Sequence, residues 1–184
     1  MGGPIFTLGH STRSAAELLG MLREAGIERL VDVRRFPGSR RHPQFGRDAL
    51  AGALDAAGIE YVHAADLGGR RPPRPDSPNG AWRVAGFRGY ADYMDAAEFR
   101  AALKRLIAGA AERPTAILCA EAVPWRCHRR LIADALVARG IEVVHLLAPG
   151  RSEPHALHPD ARLLPGHRLV YPAPKDAQAA LDLG

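Results

Sequence analysis

Residues 115–130 are Thr115-Ala-Ile-Leu-Cys119-Ala-Glu121-Ala-Val-Pro124-Trp-Arg126-Cys127-His128-Arg129-Arg130. The first five residues form an apolar run, which is typical of a strand buried on both faces of a parallel sheet. Pro124 predicts the first turn of a helix that runs to Arg139, because the missing N–H of a first-turn proline would have no partner anyway. Strand, turn and helix in this order predict one unit of an α/β fold.

The same unit recurs along the chain. Apolar runs at 5–8, 29–33, 59–62 and 142–147 predict four more strands, and segments with helical spacing lie between them. Ser14 lies three residues before Glu17, which is the spacing of a capping box at the start of a helix. We therefore expect a doubly wound α/β fold, in which a mostly parallel sheet of about five strands carries helices on both faces.

Two segments depart from this pattern. Residues 64–89 are rich in Gly, Pro and Arg, and a connection of this length inside a compact domain is usually functional or mobile. Beyond residue 148 the chain is proline-rich and polar, with an expected edge strand at 168–171 and a terminal helix at 175–183. We predict a single domain over residues 1–184, with its α/β core at 5–147 and an irregular C-terminal extension at 148–184.

Length and composition limit the class of protein. The 184 residues, 47% of them hydrophobic, suffice for one domain with a full core. The sequence has no apolar run of about 18 residues, so we expect a soluble, cytoplasmic protein with no membrane partner. The two cysteines are too few for a secreted disulfide scaffold and fit a reducing compartment.

The net charge of +5 is carried almost entirely by arginine, because Lys104 and Lys175 are the only lysines. A GC-rich genome and an anionic partner both explain this bias, and the average composition does not separate them. The arginines also cluster, at Arg34, Arg35, Arg40, Arg41 and Arg47 and again at Arg70, Arg71, Arg74, Arg83 and Arg88. The clusters predict an anionic small-molecule or nucleic-acid substrate, while the oligomeric state is left unknown.

Reactive side chains follow three of the predicted strands. Because ligands bind outside the carboxyl ends of parallel strands, we expect these side chains to line one cleft. The expected catalytic residues are Cys119, Glu121 and His10. The expected substrate-binding residues are Ser11, Asp32, Arg34, Arg126, Cys127, His128 and Arg129. We assign no metal and no cofactor to this site.

Cys119 is the candidate nucleophile. The N-terminus of the next helix, together with Arg126 and Arg129, favours a thiolate at this position, although a buried cysteine that only packs is an equal alternative. Six residues separate Cys119 from Arg126, rather than the five of the protein tyrosine phosphatase loop, and we do not predict a phosphatase. Glu121 is either an acid or base in the reaction or a carboxylate that stabilises the helix dipole.

The remaining candidates also have alternatives. Cys127 is expected in the first turn of the helix, facing the sheet, and with Cys119, His128 and His10 it offers an alternative zinc site, although the spacing is not that of a CxxC pair. Asp32 ends a buried strand and needs a partner, for which Arg34 is near enough in sequence. The side chains expected to stack on a nucleic-acid base are Phe36, Phe45 and Trp82.

These motifs resemble the bacterial and archaeal family of domain of unknown function 488. The matching pieces are Thr7-Leu-Gly9-His10-Ser11, Asp32-Val-Arg34 with Pro37 and Ser39, Leu67-Gly68-Gly69, Leu118-Cys119-Ala-Glu121 and Cys127-His128-Arg129. The resemblance covers most of residues 5–147 and implies a compact α/β domain whose activity is unassigned.

Two hypotheses about function follow. The first is an enzyme, a hydrolase or transferase, that acts on an anionic substrate with Cys119 or Glu121 as the catalytic group. The second is a noncatalytic nucleic-acid-binding module with arginine-rich loops.

Overall fold

The computed structural model describes residues 2–174, so the helix predicted at 175–183 lies outside the described residues. Six strands form the main sheet, in the order β3-β2-β4-β1-β5-β6. All neighbours are parallel except β5 and β6, which are antiparallel. The strands are β1 (Ile5–Gly9), β2 (Arg29–Asp32), β3 (Glu60–His63), β4 (Thr115–Cys119), β5 (Val143–Ala148) and β6 (Arg151–Pro154).

Five α-helices cover both faces of this sheet. They are α1 (Ala15–Glu24), α2 (Arg47–Ala56), α3 (Ala85–Tyr93), α4 (Ala97–Glu112) and α5 (Arg129–Val137). Apolar residues of α1 and α2 form one core cluster on one face, and those of α3, α4 and α5 form a second cluster on the other. The predicted doubly wound α/β fold with a mostly parallel sheet is therefore confirmed.

The central strand β4 supplies side chains to both clusters. Successive residues of a strand point to opposite faces. Accordingly Ala116 and Leu118 pack against α1 and α2, whereas Ile117 and Cys119 pack on the side of α3, α4 and α5. All five residues of β4 are buried, as the apolar run predicts. This alternation directs Cys119 toward the segment that leads into α5.

Three local features differ from the expectations. The helix expected from Pro124 is a short 3-10 turn at Pro124–Arg126, and α5 begins only at Arg129, because Cys127 has an extended backbone conformation that separates the two. Strand β6 was not expected, and it pairs with β5 along the edge of the sheet. Residues 168–170 do form a strand, but it pairs with Arg162–Leu164 in a separate two-stranded sheet.

A buried hydrogen-bonded chain fastens the C-terminal segment to the sheet. Thr7 Oγ1 lies 2.6 Å from His145 Nδ1, and His145 Nε2 lies 2.9 Å from His155 Nδ1. His155 Nε2 lies 2.7 Å from Asp134 Oδ1, and the Tyr171 hydroxyl donates to Asp134 Oδ2 at 2.8 Å. Strands β1 and β5, helix α5 and the tail are thus joined through polar groups that have few alternatives inside the core.

The irregular connection before α3 is organised by one carboxylate. Asp92 is buried, and it accepts hydrogen bonds from the Arg74 backbone N–H, the Ser77 hydroxyl and the Asn79 side-chain amide at 2.6–2.8 Å. Because the amide oxygen of Asn79 accepts the Tyr171 backbone N–H at 2.9 Å, the same network reaches the tail. The segment therefore has a fixed path despite its lack of regular structure.

Candidate active site

A cleft of about 720 Å³ opens at the carboxyl ends of β1, β2 and β4. These three strands are neighbours, and their hydrogen bonding continues into the loops that follow them. The His10 N–H donates to the Cys119 carbonyl at 3.0 Å, and the Val33 N–H donates to the Leu118 carbonyl at 2.9 Å. The loops that carry the candidate residues are therefore held together by the same ladder that builds the sheet.

The structure brings eight of the ten predicted site residues to this cleft. They are His10, Ser11, Arg34, Cys119, Glu121, Arg126, Cys127 and His128. The other two, Asp32 and Arg129, are 0% and 1% exposed and do not border the cleft. Asp32 and Arg129 lie beneath the cleft, where they contact its lining residues rather than open space.

Gly9 allows the loop after β4 to pack onto β1. A Cβ atom at Gly9 would lie 1.6 Å from the Glu121 carbonyl oxygen, so any side chain there would displace that loop. The same oxygen accepts a hydrogen bond from Arg129 Nη2 at 2.9 Å. Gly9 thereby places Glu121 between β1 and the buried guanidinium group.

The two thiols of the chain meet at the floor of the cleft. Cys119 and Cys127 are free cysteines, 2% and 5% exposed, and their Sγ atoms are 2.6 Å apart. The backbone N–H of Arg129 lies 3.5 Å from the Cys127 sulfur. Cys127 therefore points back toward the end of β4, although the sequence placed it inside a helical turn.

Arg129 is a buried cation without a carboxylate partner in residues 2–174. Its Nη2 donates to the Glu121 and Ala122 carbonyl oxygens at 2.9 and 3.0 Å, while its Nε and Nη1 are buried without a hydrogen-bond partner. A buried charge is costly unless a neighbouring group compensates it. A negative charge on Cys119 would compensate it, since Arg129 lowers the pKa of that thiol.

The surroundings of the two thiols give them different pKa values. Burial by itself would raise the pKa of Cys119, but the hydrogen bond from Cys127 and the positive charge of Arg129 outweigh burial and lower it. Burial and the neighbouring Cys119 raise the pKa of Cys127 well above its usual value. Cys119 is therefore the more acidic thiol of the pair, and Cys127 is the less acidic one.

Histidine 128 borders the thiols in its neutral form. Burial lowers the pKa of His128 to about 4, and its Nε2 lies 3.1 Å from the Val33 carbonyl, which can only accept a hydrogen bond. The neutral ring therefore carries its proton on Nε2 and leaves Nδ1 as an acceptor, 3.6 Å from the Cys127 sulfur. Gly69 makes room for this ring, because a Cβ atom there would lie 3.0 Å from Nδ1.

Asp32 and Arg34 form the expected ion pair below the opposite wall. Arg34 Nε and Nη2 donate to the two Asp32 carboxylate oxygens at 2.9 and 2.7 Å, and the Tyr61 hydroxyl donates to Oδ2 at 2.6 Å. Arg34 Nη1 donates to the Phe45 carbonyl at 2.8 Å. The guanidinium group of Arg34 is thus committed to internal partners, and it shapes the wall of the cleft.

Comparison with known proteins supports the resemblance noted from the motifs. The family model described as "Domain of unknown function DUF488" matches residues 14–136, well over half of the 184-residue chain. The chain belongs to the DUF488 family. Neither the curated proteins nor the solved structures contain a match to it. The family match includes both cysteines and Arg129 of the site, whereas the motif at residues 7–11 precedes it.

The cleft of this DUF488 protein is also lined by arginines from the two arginine clusters of the sequence. These arginines were not among the predicted site residues. They are Arg35, Arg40, Arg41 and Arg70. With Arg126 they make five lining arginines that form no ion pair with a carboxylate of residues 2–174. Glu121 is the only acidic residue among the described residues that line the cleft. The lack of acidic residues between Arg34 and Arg47 was the available sequence signal.

His10 and Ser11 form the rim next to β1. Burial lowers the pKa of His10, partly offset by the hydrogen bond between Nδ1 and the Ser11 carbonyl at 2.9 Å. The neutral ring therefore carries its proton on Nδ1 and keeps Nε2 as an acceptor. Ser11 has a φ of 46° and Arg70, also in the cleft, a φ of 60°. Left-handed backbone at non-glycine residues is often concentrated at functional sites.

The prediction that three aromatic side chains are available for stacking holds for one of them. Phe36 lines the cleft and is 65% exposed, with the Arg35 guanidinium 5.4 Å from its ring centre. Phe45 is fully buried and stacks on His10 at 4.6 Å, and Trp82 is 6% exposed within the core. For Phe45 and Trp82 the prediction is wrong, because both rings fill space between the core and the loops.

Among residues 2–174, no group of three or more His, Cys, Asp or Glu side chains is arranged to hold a metal ion, and this includes the alternative zinc set. Within the same residues, no helix has the length and apolar character needed to cross a membrane.

Proposed function

We propose that this DUF488 protein is an enzyme in which the Cys119 thiolate attacks an electrophilic atom of an anionic substrate, such as a phosphoester or nucleotide, forms a covalent bond to it and displaces a leaving group. One observation carries the proposal: Cys119 lies beside the buried Arg129 at the floor of a cleft whose walls hold five arginines, and none of these six arginines has a carboxylate partner within residues 2–174. A buried cation that lowers the pKa of a thiol is what a nucleophilic cysteine needs. A cationic cleft above it favours substrates with negative charge.

The other residues divide into binding and positioning roles. Arg35, Arg40, Arg41, Arg70 and Arg126 would bind phosphate oxygens through their planar donor groups. Asp32 and Arg129, which the sequence assigned to substrate binding, act through Arg34 and Cys119 instead, since neither borders the cleft.

Glu121 and His10 supply the proton chemistry. Glu121 is exposed in the cleft and is its only described acidic lining residue, so it is the candidate acid or base of the reaction. Neutral His10 offers Nε2 as the complementary acceptor. Ser11 and His128 complete the lining on either side of the thiol.

The test is a turnover screen against phosphoesters and nucleotides. We expect the Cys119→Ser variant to lose roughly a thousand-fold or more of kcat, because it lacks the nucleophile. The Arg40→Gln, Arg41→Gln double variant should raise KM about ten-fold or more through the loss of charged hydrogen bonds. Arg23→Gln removes an exposed arginine of α1 outside the cleft and should leave both constants unchanged. Full turnover in Cys119→Ser would refute the proposal, and full turnover in Glu121→Gln would refute the role given to Glu121.

A second candidate, a noncatalytic nucleic-acid-binding module, is favoured by the rim around Phe36. That ring is largely exposed beside Arg35, and the exposed Arg40 and Arg41 follow in the same loop. Aromatic rings that stack on bases and arginines that contact phosphates together bind single strands. This function requires affinity for an oligonucleotide that falls steeply as salt rises, and absence of binding at low salt would exclude it.

A further inference from the structure

We propose that Cys119 and Cys127 are also a reversible disulfide pair, in which Cys119 attacks a low-molecular-weight disulfide and Cys127 displaces the second half of it. This inference uses the nucleophilic Cys119 of the proposed function, but it does not depend on the phosphorylated substrate. It gives Cys127 a chemical role, where packing alone would be served by any small apolar side chain.

The position of the two sulfur atoms supports the proposal. Their separation is 2.6 Å, so a covalent bond requires the atoms to approach by only about 0.5 Å. Cys119 is the last residue of β4, and its backbone is fixed by pairing with Gly9 of β1. Cys127 lies in the extended segment between the 3-10 turn and α5, outside regular structure. A small shift of this segment can therefore close the bond without disrupting a helix.

The two cysteines differ in pKa, as a reaction that proceeds through one thiol first requires. Arg129 and the Cys127 S–H hold Cys119 as the more acidic thiol, so Cys119 is the first nucleophile. Cys127 remains protonated until its partner sulfur is no longer an anion. Once Cys119 is part of a disulfide, the negative charge that raises the pKa of Cys127 is gone, and Cys127 becomes easier to deprotonate.

The steps balance with a symmetrical disulfide RSSR as the oxidant. The Cys119 thiolate attacks one sulfur, the S–S bond of RSSR breaks, and one RS⁻ leaves with its electron pair. Cys127 then attacks the Cys119 sulfur, the mixed disulfide breaks, and the second RS⁻ leaves with the proton from Cys127. The two protein thiols lose two electrons in total, and RSSR is reduced to RSH and RS⁻.

The cleft suits a disulfide that carries negative charge. Cys119 and Cys127 both border it, and Arg126 together with Arg70 provides positive charge on its walls. A disulfide with carboxylate groups, such as glutathione disulfide, has the size and charge to enter a space of about 720 Å³. Formation of the protein disulfide removes the Cys119 thiolate, so the proposed enzyme is inactive when oxidised and regains activity when dithiothreitol reduces it.

The test follows the mass of the full-length protein after mixing with glutathione disulfide, in the absence of any phosphorylated compound. The unmodified protein should lose two hydrogens in mass, and peptide mapping should join Cys119 to Cys127 within one chain. Cys127→Ser should instead accumulate a stable glutathione adduct on Cys119. Cys119→Ser should react at least ten-fold more slowly, because burial, the largest cause of the raised pKa of Cys127, is still present in this variant.

Three results would overturn the inference. They are a persistent adduct on the unmodified protein, a disulfide between two chains, and equal adduct yields from the unmodified protein and Cys127→Ser. Since mass is the readout, the inference survives if no phosphorylated substrate is ever turned over. Conversely, phosphoester turnover that depends on Cys119 but resists glutathione disulfide would support the proposed function and overturn this inference.

Discussion

Mild acid should destabilise the folded protein through two buried histidines. Burial lowers the pKa of His145 to about 3, from the 6.5 of an ordinary histidine, and a neighbouring His155 adds to the effect. Burial also lowers the pKa of His128 to about 4. Below pH 6.5 the unfolded chain binds protons at these positions that the folded chain does not accept. The free energy of unfolding therefore falls as pH falls from 6.5 toward 3 to 4, and the contribution is fully present above pH 6.5.

The size of the loss follows from these values. At pH 5, about 1.5 pH units below the unfolded pKa, each histidine costs about 2 kcal/mol relative to pH 7, since one unit corresponds to about 1.4 kcal/mol. The two together should remove about 4 kcal/mol. Lowered pKa values at His10 and His158, both due first to burial, act in the same direction.

Urea unfolding at pH 7 and pH 5 measures this difference. His145→Gln keeps an amide within reach of the Thr7 and His155 partners but cannot be protonated, so its loss between the two pH values should be about 2 kcal/mol smaller. His167→Gln, at an exposed histidine, is the control and should retain the full loss. An identical pH dependence in His145→Gln and the unmodified protein would refute the reasoning.

Other substitutions test how the loops below the cleft are held. Gly9→Ala should displace the loop at Glu121, since its Cβ would lie 1.6 Å from a carbonyl oxygen, and should lower the thermal midpoint by several degrees in a thermal scan. Asp92→Ala removes three hydrogen bonds from the segment 74–79, should cost on the order of 3 kcal/mol, and should open that segment to limited proteolysis. Asp32→Asn leaves Arg34 buried without its ion partner and should cost about 3 kcal/mol or more by urea unfolding. Full protease resistance in Asp92→Ala, or unchanged stability in either of the other two, would contradict these contacts.

Local patterns predicted the fold and the location of the cleft because both depend on short-range signals. Apolar runs such as Thr115–Cys119 identified the buried strands, and the carboxyl ends of parallel strands necessarily share one edge. The ion pair of Asp32 with Arg34 was also predictable, since only one residue separates the two in the sequence and their side chains can therefore reach each other. Strand β6 escaped prediction because Arg151–Pro154 is polar and short, and its pairing depends on β5.

The sequence could not predict which side chains near the cleft are buried in the core and which are exposed at its surface. The 3-10 turn at Pro124–Arg126 and the extended Cys127 delay the start of α5, and this shift changes which residues of the helix face inward. Arg129 consequently lies in the core rather than at the cleft surface, where the sequence had placed it. The contact between Cys119 and Cys127 depends on the same shift, because a helix starting at Pro124 would have directed Cys127 elsewhere.

The most direct test of the account measures the acidity of Cys119. The rate at which iodoacetamide alkylates Cys119 is followed against pH by peptide mass in the unmodified protein, in Arg129→Met and in Arg130→Met. Methionine is a tolerable replacement for a buried, unpaired arginine, and Arg130 is a neighbouring cation that lies over the Trp82 ring. We expect an inflection below the usual thiol pKa in the unmodified protein and in Arg130→Met, and a higher one in Arg129→Met. The same inflection in the unmodified protein and Arg129→Met would contradict this expectation.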